Sequence, residues 1–201
     1  MNVRLLVLHA RARRVPAITA GLGALTIAFW ALGAQLAHQS GATDPASWMT
    51  VMAPLVAAVL VSSTFSGADD ELELSTRSRW AGLRVGQLAT LTLLASTLLA
   101  LTGCWAPERF GAQALVRGVV GDVGLVALTA AIIGARASWV PALGLAIVAL
   151  TRGPTDPATL AAVLTWQVQP TDVRAAGATA LALGVAGLVI HARLGSRAST
   201  R

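Results

Sequence analysis

Apolar positions in this chain do not alternate with polar ones. They come in long uninterrupted runs, broken by short clusters of Arg, Asp, Glu, Pro and Gly. Six runs stand out, at about Val15–Ala37, Ala46–Phe65, Val85–Leu101, Arg117–Ala135, Trp139–Leu150 and Ala175–Ala192. A helix needs about 20 apolar residues to cross a 30 Å hydrocarbon layer. Most of the runs approach that length, so the pattern predicts a bundle of membrane helices. The fifth is short, at roughly 20 Å by the 1.5 Å rise per residue. It must thin the bilayer or sit among longer neighbours. The first run is too long for a signal-peptide core and lacks a clear cleavage site, so it reads as a span. The expected fold class is an all-α integral membrane protein. Six spans are expected over 15–193, after an N-terminal interfacial helix.

Composition agrees. Of 201 residues, 55% are hydrophobic and 12% charged, against about 25% charged in soluble domains. There is too little polar surface for a water-facing globule, which excludes a soluble enzyme and a disordered chain. The single cysteine, Cys104, excludes a disulfide scaffold.

The net charge of +6 reports orientation rather than nucleic acid. All fifteen basic residues are Arg, which fits a GC-rich bacterial coding sequence. Placing the N-terminus inside puts eleven arginines on cytoplasmic segments: 4, 11, 13, 14, 77, 79, 84, 136, 193, 197 and 201. Four, Arg109, Arg117, Arg152 and Arg174, fall outside. That bias predicts two cytoplasmic termini, including a basic tail over 194–201, and an even number of spans. Trp48, Trp80, Trp105 and Trp139 fall at predicted span ends, where an amphipathic ring suits the headgroup region.

Three non-spanning pieces carry information. Residues 1–14 combine Val3, Leu5, Leu6, Val7 and Leu8 with Arg4 and Arg11. They read as an amphipathic helix on the inner leaflet, or as a frayed basic tail that only sets topology. The connection 67–84 places Asp69, Asp70, Glu71 and Glu73 ahead of Arg77 and Arg79. Acids near the start and arginines near the end match a helix dipole. Glu73 and Arg77 form a favourable i,i+4 pair. A cytoplasmic helix that a partner grips, or a solvated charged loop, both fit. The connection 152–173 holds Pro154, Pro157 and Pro170 around an apolar stretch too short to cross, 158–166. It reads as a small re-entrant helix whose backbone must be satisfied internally.

Asp122 is the only acid inside a span. A central charge costs about 2.5–3.5 kcal/mol, and Leu, Ile and Val each return about 0.3–0.6. Ten such residues lie between Leu115 and Ile133, enough to insert the helix. With the span centred near Val126, Asp122 is expected about 6 Å from the centre. It should face the bundle, pairing with Arg117 or nearby backbone, in a structural or a substrate role. Gly118, Gly121 and Gly124 leave room for a neighbouring helix. Ala20, Ala24 and Ala28, and Ala178, Ala182 and Ala186, form further small-residue stripes.

No P-loop, CxxC or HExxH is present, and His9, His38 and His191 are dispersed. No catalytic set converges, so no metal, no cofactor and no enzymatic activity are expected.

This organisation resembles the membrane subunit of type 2 ATP-binding-cassette exporters. The local match is Glu71-Leu72-Glu73-Leu74-Ser75-Thr76-Arg77-Ser78-Arg79, an acidic then Ser-Arg segment leading into the third span. Short length and the lack of a Pro in that segment depart from the family. The resemblance implies a permease moving an amphipathic or hydrophobic cargo such as a peptide, antibiotic or lipid. It implies a separate cytoplasmic ATP-binding subunit contacting Asp69, Asp70, Glu71, Glu73, Arg77 and Arg79. It further implies a second permease chain, identical or not, in the lipid of a bacterial inner membrane. The alternative is a non-transport accessory or scaffold subunit of a membrane complex.

Overall fold

A computed structural model describes residues 14–38, 46–65, 77–105, 111–156 and 160–195. Among these residues all regular structure is helical. The helices are α1 (Val15–His38), α2 (Ala46–Ser62), α3 (Arg77–Trp105), α4 (Ala112–Ile133), α5 (Val140–Arg152), α6 (Leu160–Leu164) and α7 (Arg174–Leu194), with one 3-10 turn, Ala135–Ala137.

Four of them, α1, α3, α4 and α7, are long and apolar enough to cross a membrane. The 17-residue α2 and the 13-residue α5 are shorter. Leu93, Ile27 and Leu181 are each more than 60% exposed. Such surface is costly in water and costless in lipid. The chain is therefore a helical protein of membrane character.

The central helix is α4. Its apolar window is 67% buried, against 17% for α1 and 22% for α7. It packs chiefly on α7, then on α2 and α3. Glycines make those approaches possible. A Cβ at Gly118 would strike the ring of Pro54 on α2, and one at Gly124 would strike the α7 backbone at Leu183 and Gly184. Gly187 reaches the backbone of Gly124 from the other side. The contact face of α7 is thus Ala176, Ala180, Gly184 and Gly187, whereas Ala178 and Ala182 point outward. Ala20, Ala24 and Ala28 are likewise exposed. Ala186, the third of the α7 stripe, is half-buried, and on α7 the close approach to α4 is made by glycines, which let backbones come closer than alanines allow.

Two helix starts lie several residues before the expected ones. α4 starts at Ala112, since Ala112, Gln113 and Ala114 are good helix formers. Its midpoint therefore falls at Asp122–Val123, and Asp122 is central rather than 6 Å from the centre. α3 already runs as helix from Arg77, so Arg77 and Arg79 lie on its first turn instead of closing a separate helix. Asp69, Asp70, Glu71 and Glu73, the segment 1–13 and the tail beyond Gly195 lie outside the described residues.

The ends alternate. Thr50 of α2, Arg117 of α4, Ala149 of α5 and the segment before α7 line one cavity at the end where α4 begins. At the opposite end the rings of Phe65 and His191 lie 4.4 Å apart, and Arg84 lies against Gly195. There the Thr129 hydroxyl also donates to the Ser138 carbonyl at 2.6 Å. α4 stops at Gly134, whose φ of +94° excludes most side chains, and whose N–H donates to the Ala130 carbonyl at 3.1 Å.

A buried polar clamp between the central helix and the segment before α7

Two polar residues of α4, Arg117 and Asp122, project into the same partner, the turn segment that follows α6. After Leu164 the chain leaves the helix and passes through Thr165, Trp166, Gln167, Val168 and Gln169 to Pro170. Pro170 has no N–H to offer a helix, so the carbonyls before it are left over. Thr165, Trp166, Gln167 and Gln169 are nonetheless all buried. Buried carbonyls must find donors.

Arg117 supplies them. Its Nη1 donates to the Pro170 carbonyl at 3.1 Å, and its Nη2 donates to the Gln169 carbonyl and more distantly to that of Gln167. The planar guanidinium presents five N–H groups, enough to gather several carbonyls that no helix uses. Arg117 sits 92% buried without a carboxylate partner among the described residues, held by backbone dipoles.

Asp122 receives the side chain of the same segment. Gln167 Nε2 donates to Asp122 Oδ1 at 2.6 Å, and Asp122 is wholly buried. The pairing of Asp122 with Arg117 expected from sequence does not form. The two lie five residues apart, and Arg117 reaches the carbonyls instead.

Between them, Gly121 gives up its side-chain space to the indole of Trp166, which lies where a Cβ would be. Trp166 is wholly buried. A second layer holds the segment from behind. The Gln169 amide, oriented to satisfy both its ends, accepts from the Thr155 N–H and hydroxyl at 3.0 Å and from the Thr165 hydroxyl at 2.8 Å, and donates to the Thr155 carbonyl at 3.1 Å.

Four atoms of the clamp have no hydrogen-bond partner within the described chain: Asp122 Oδ2, Gln167 Oε1, Arg117 Nε and Trp166 Nε1. Native interiors leave few such groups. Beside them lies a cavity of about 170 Å³, lined by Thr50, Arg117, Gln167 and Gln169 together with Gly153 and Pro154. A larger groove of about 330 Å³ lies between α3, α4 and α7 and is almost entirely apolar.

Of the residues singled out from sequence, Asp122 and Arg117 belong to this clamp. Arg77 and Arg79 lie on α3, and the four acids of the connection fall outside the described residues. Gln167, Gln169 and Trp166 were not anticipated. The available signal was two glutamines flanking a valine at the end of an apolar stretch. No family model matches the chain, and neither a curated protein nor a solved structure matches it.

Proposed function

We propose that the chain is the membrane-spanning permease subunit of an ATP-driven exporter of the type 2 ATP-binding-cassette class. The supporting observation is the order of elements. Among the described residues six principal helices occur in sequence, the third already helical from Arg77, and a five-residue helix followed by buried turns precedes the last. In this reading all six cross the bacterial inner membrane with both termini cytoplasmic. The segment 152–173 is re-entrant from the outer side, clamped by Arg117 and Asp122. α5, at roughly 20 Å, either thins the bilayer locally or is shielded among its longer neighbours.

α3 supplies the lever. Twenty-nine helical residues extend about 44 Å at 1.5 Å per residue, well beyond a core of about 30 Å. A rigid helix of that length carries a push at its charged end into the contacts with α4. A cytoplasmic ATPase that grips Asp69, Asp70, Glu71, Glu73, Arg77 and Arg79 would thereby move the bundle. One bundle of this size does not enclose a pathway, so a second permease chain completes it. The cargo is amphipathic or hydrophobic, in keeping with the apolar groove on the lipid side.

The test is purification in mild detergent from the native host. Co-purification of a P-loop ATPase in fixed ratio supports the reading. Purification with another membrane complex and no ATPase assigns the chain to a scaffold role instead.

A further inference from the structure

We propose that Asp122 is a proton-binding site, reached through the polar cavity at the start of α4 and gated by Gln167, and that its occupancy decides whether the segment Thr165–Pro170 stays docked. The inference does not rest on the export reading.

Three observations carry it. First, the carboxylate is wholly buried at mid-helix and receives one hydrogen bond, from a neutral amide. An ionised carboxylate in such a place needs more compensation than one amide gives. Second, the unpartnered atoms of this pair, Asp122 Oδ2 and Gln167 Oε1, are both acceptors when the acid is ionised. One proton on Oδ2 turns an acceptor into a donor and allows the acid and the amide to bond in both directions. Third, Gln167 lies between Asp122 and the cavity of about 170 Å³, which it lines with Arg117, Gln169 and Thr50. In the proposal, rotation of the Gln167 side chain is the step that would connect the two.

A proton leaves water in the cavity and adds to Oδ2, and the site's charge changes by one unit. On release the proton returns to that water. With the proton on, Gln167 is held by two hydrogen bonds and Trp166 stays seated on Gly121. With it off, two buried acceptors face no donor, and the segment loosens toward water.

Among the described residues no charged group bonds to Asp122. Among the described side chains, the elements packed on α4 carry Arg84 on α3, Arg136 in the 3-10 turn, Arg152 on α5, and Arg174, His191 and Arg193 on α7. Asp156 and Asp172 lie on the segment before α7. None of them, nor Arg117, bonds to Asp122, whose hydrogen bond is to Gln167.

The test uses the full chain in lipid nanodiscs across the pH range in which it stays folded. Trp166 fluorescence is read as the difference between the wild type and Trp166→Phe. A one-proton shift to longer wavelength with rising pH is expected, and it should vanish in Asp122→Asn, whose amide pairs with Gln167 at every pH. Should Asp122→Asn not assemble, the wild type with aspartate labelled at the carboxyl carbon is read by infrared. The expected result is a protonated-carboxyl band that disappears with the same midpoint as the fluorescence change. No fluorescence transition, the same transition in Asp122→Asn, or no matching carboxyl band overturns the proposal. A response to sodium at fixed pH assigns the carboxylate to a metal cation and overturns it equally.

Discussion

The Trp166 indole occupies the space that a side chain at Gly121 would fill. One glycine on the central helix thus admits the largest side chain of the segment before α7. Arg117, one turn before the glycine, and Asp122, the residue after it, fix that segment on the same helix.

Gly121→Ala should therefore unseat Trp166. The ring is wholly buried and cannot retreat without moving the segment. Overpacking of this kind costs about 1–3 kcal/mol. A lowered midpoint in thermal unfolding in detergent is expected, together with a more water-exposed Trp166 emission. A shorter residue at 166, as in Trp166→Leu combined with Gly121→Ala, should recover part of the loss. Equal unfolding midpoints for Gly121→Ala and wild type would contradict the contact.

Arg117→Met should free the same segment by another route. The substitution keeps length but removes the donors for the carbonyls of Gln167, Gln169 and Pro170. Hydrogen bonds from a charged donor are worth about 1.5–3 kcal/mol each, and orphaned carbonyls add to the loss. Faster limited proteolysis between 153 and 173 is the measurement. Arg117→Lys should rescue little, because one ammonium group cannot reproduce the planar fork.

The α4–α7 crossing is expected to tolerate no bulk. Gly124→Leu places a side chain against the backbone of Leu183 and Gly184. Loss of monodisperse protein on size exclusion is expected. Gly144→Leu, where nothing lies within 4 Å of the added Cβ, should behave as wild type. Similar behaviour of the two variants would show that the crossing is looser than described.

Topology and coupling can be tested in a Cys104→Ser background. Single cysteines at Arg11 and Arg197 should label from the same, cytoplasmic, side, and labelling from opposite sides would remove the even-span reading. Reversal of Glu71 and Glu73 to Arg should leave the bundle folded and uncouple ATP hydrolysis from transport. Unchanged cargo-stimulated hydrolysis in that double variant would argue against a contact at the connection.

What the sequence determined by itself is what depends on runs of residues. Apolar runs mark helices because hydrophobic length and helix propensity are local properties. The helices at Val15–His38 and Arg174–Leu194 follow their runs closely. The glycines at 118, 121 and 124 announced close approach, since only an absent side chain permits it. What approached was decided by the tertiary structure. Pro54, Trp166 and the α7 backbone come from three separate parts of the chain, and no spacing rule links them to α4. The clamp was hidden for the same reason. Asp122 and Arg117 are near neighbours in sequence, which suggested that they pair. Each instead satisfies a group some fifty residues away, Arg117 the carbonyls freed around Pro170 and Asp122 the amide of Gln167. Those carbonyls became available only because the chain turned out of α6 while still buried. A buried backbone without a helix must take its hydrogen bonds from side chains on whatever element lies opposite, and that choice belongs to the packed bundle alone.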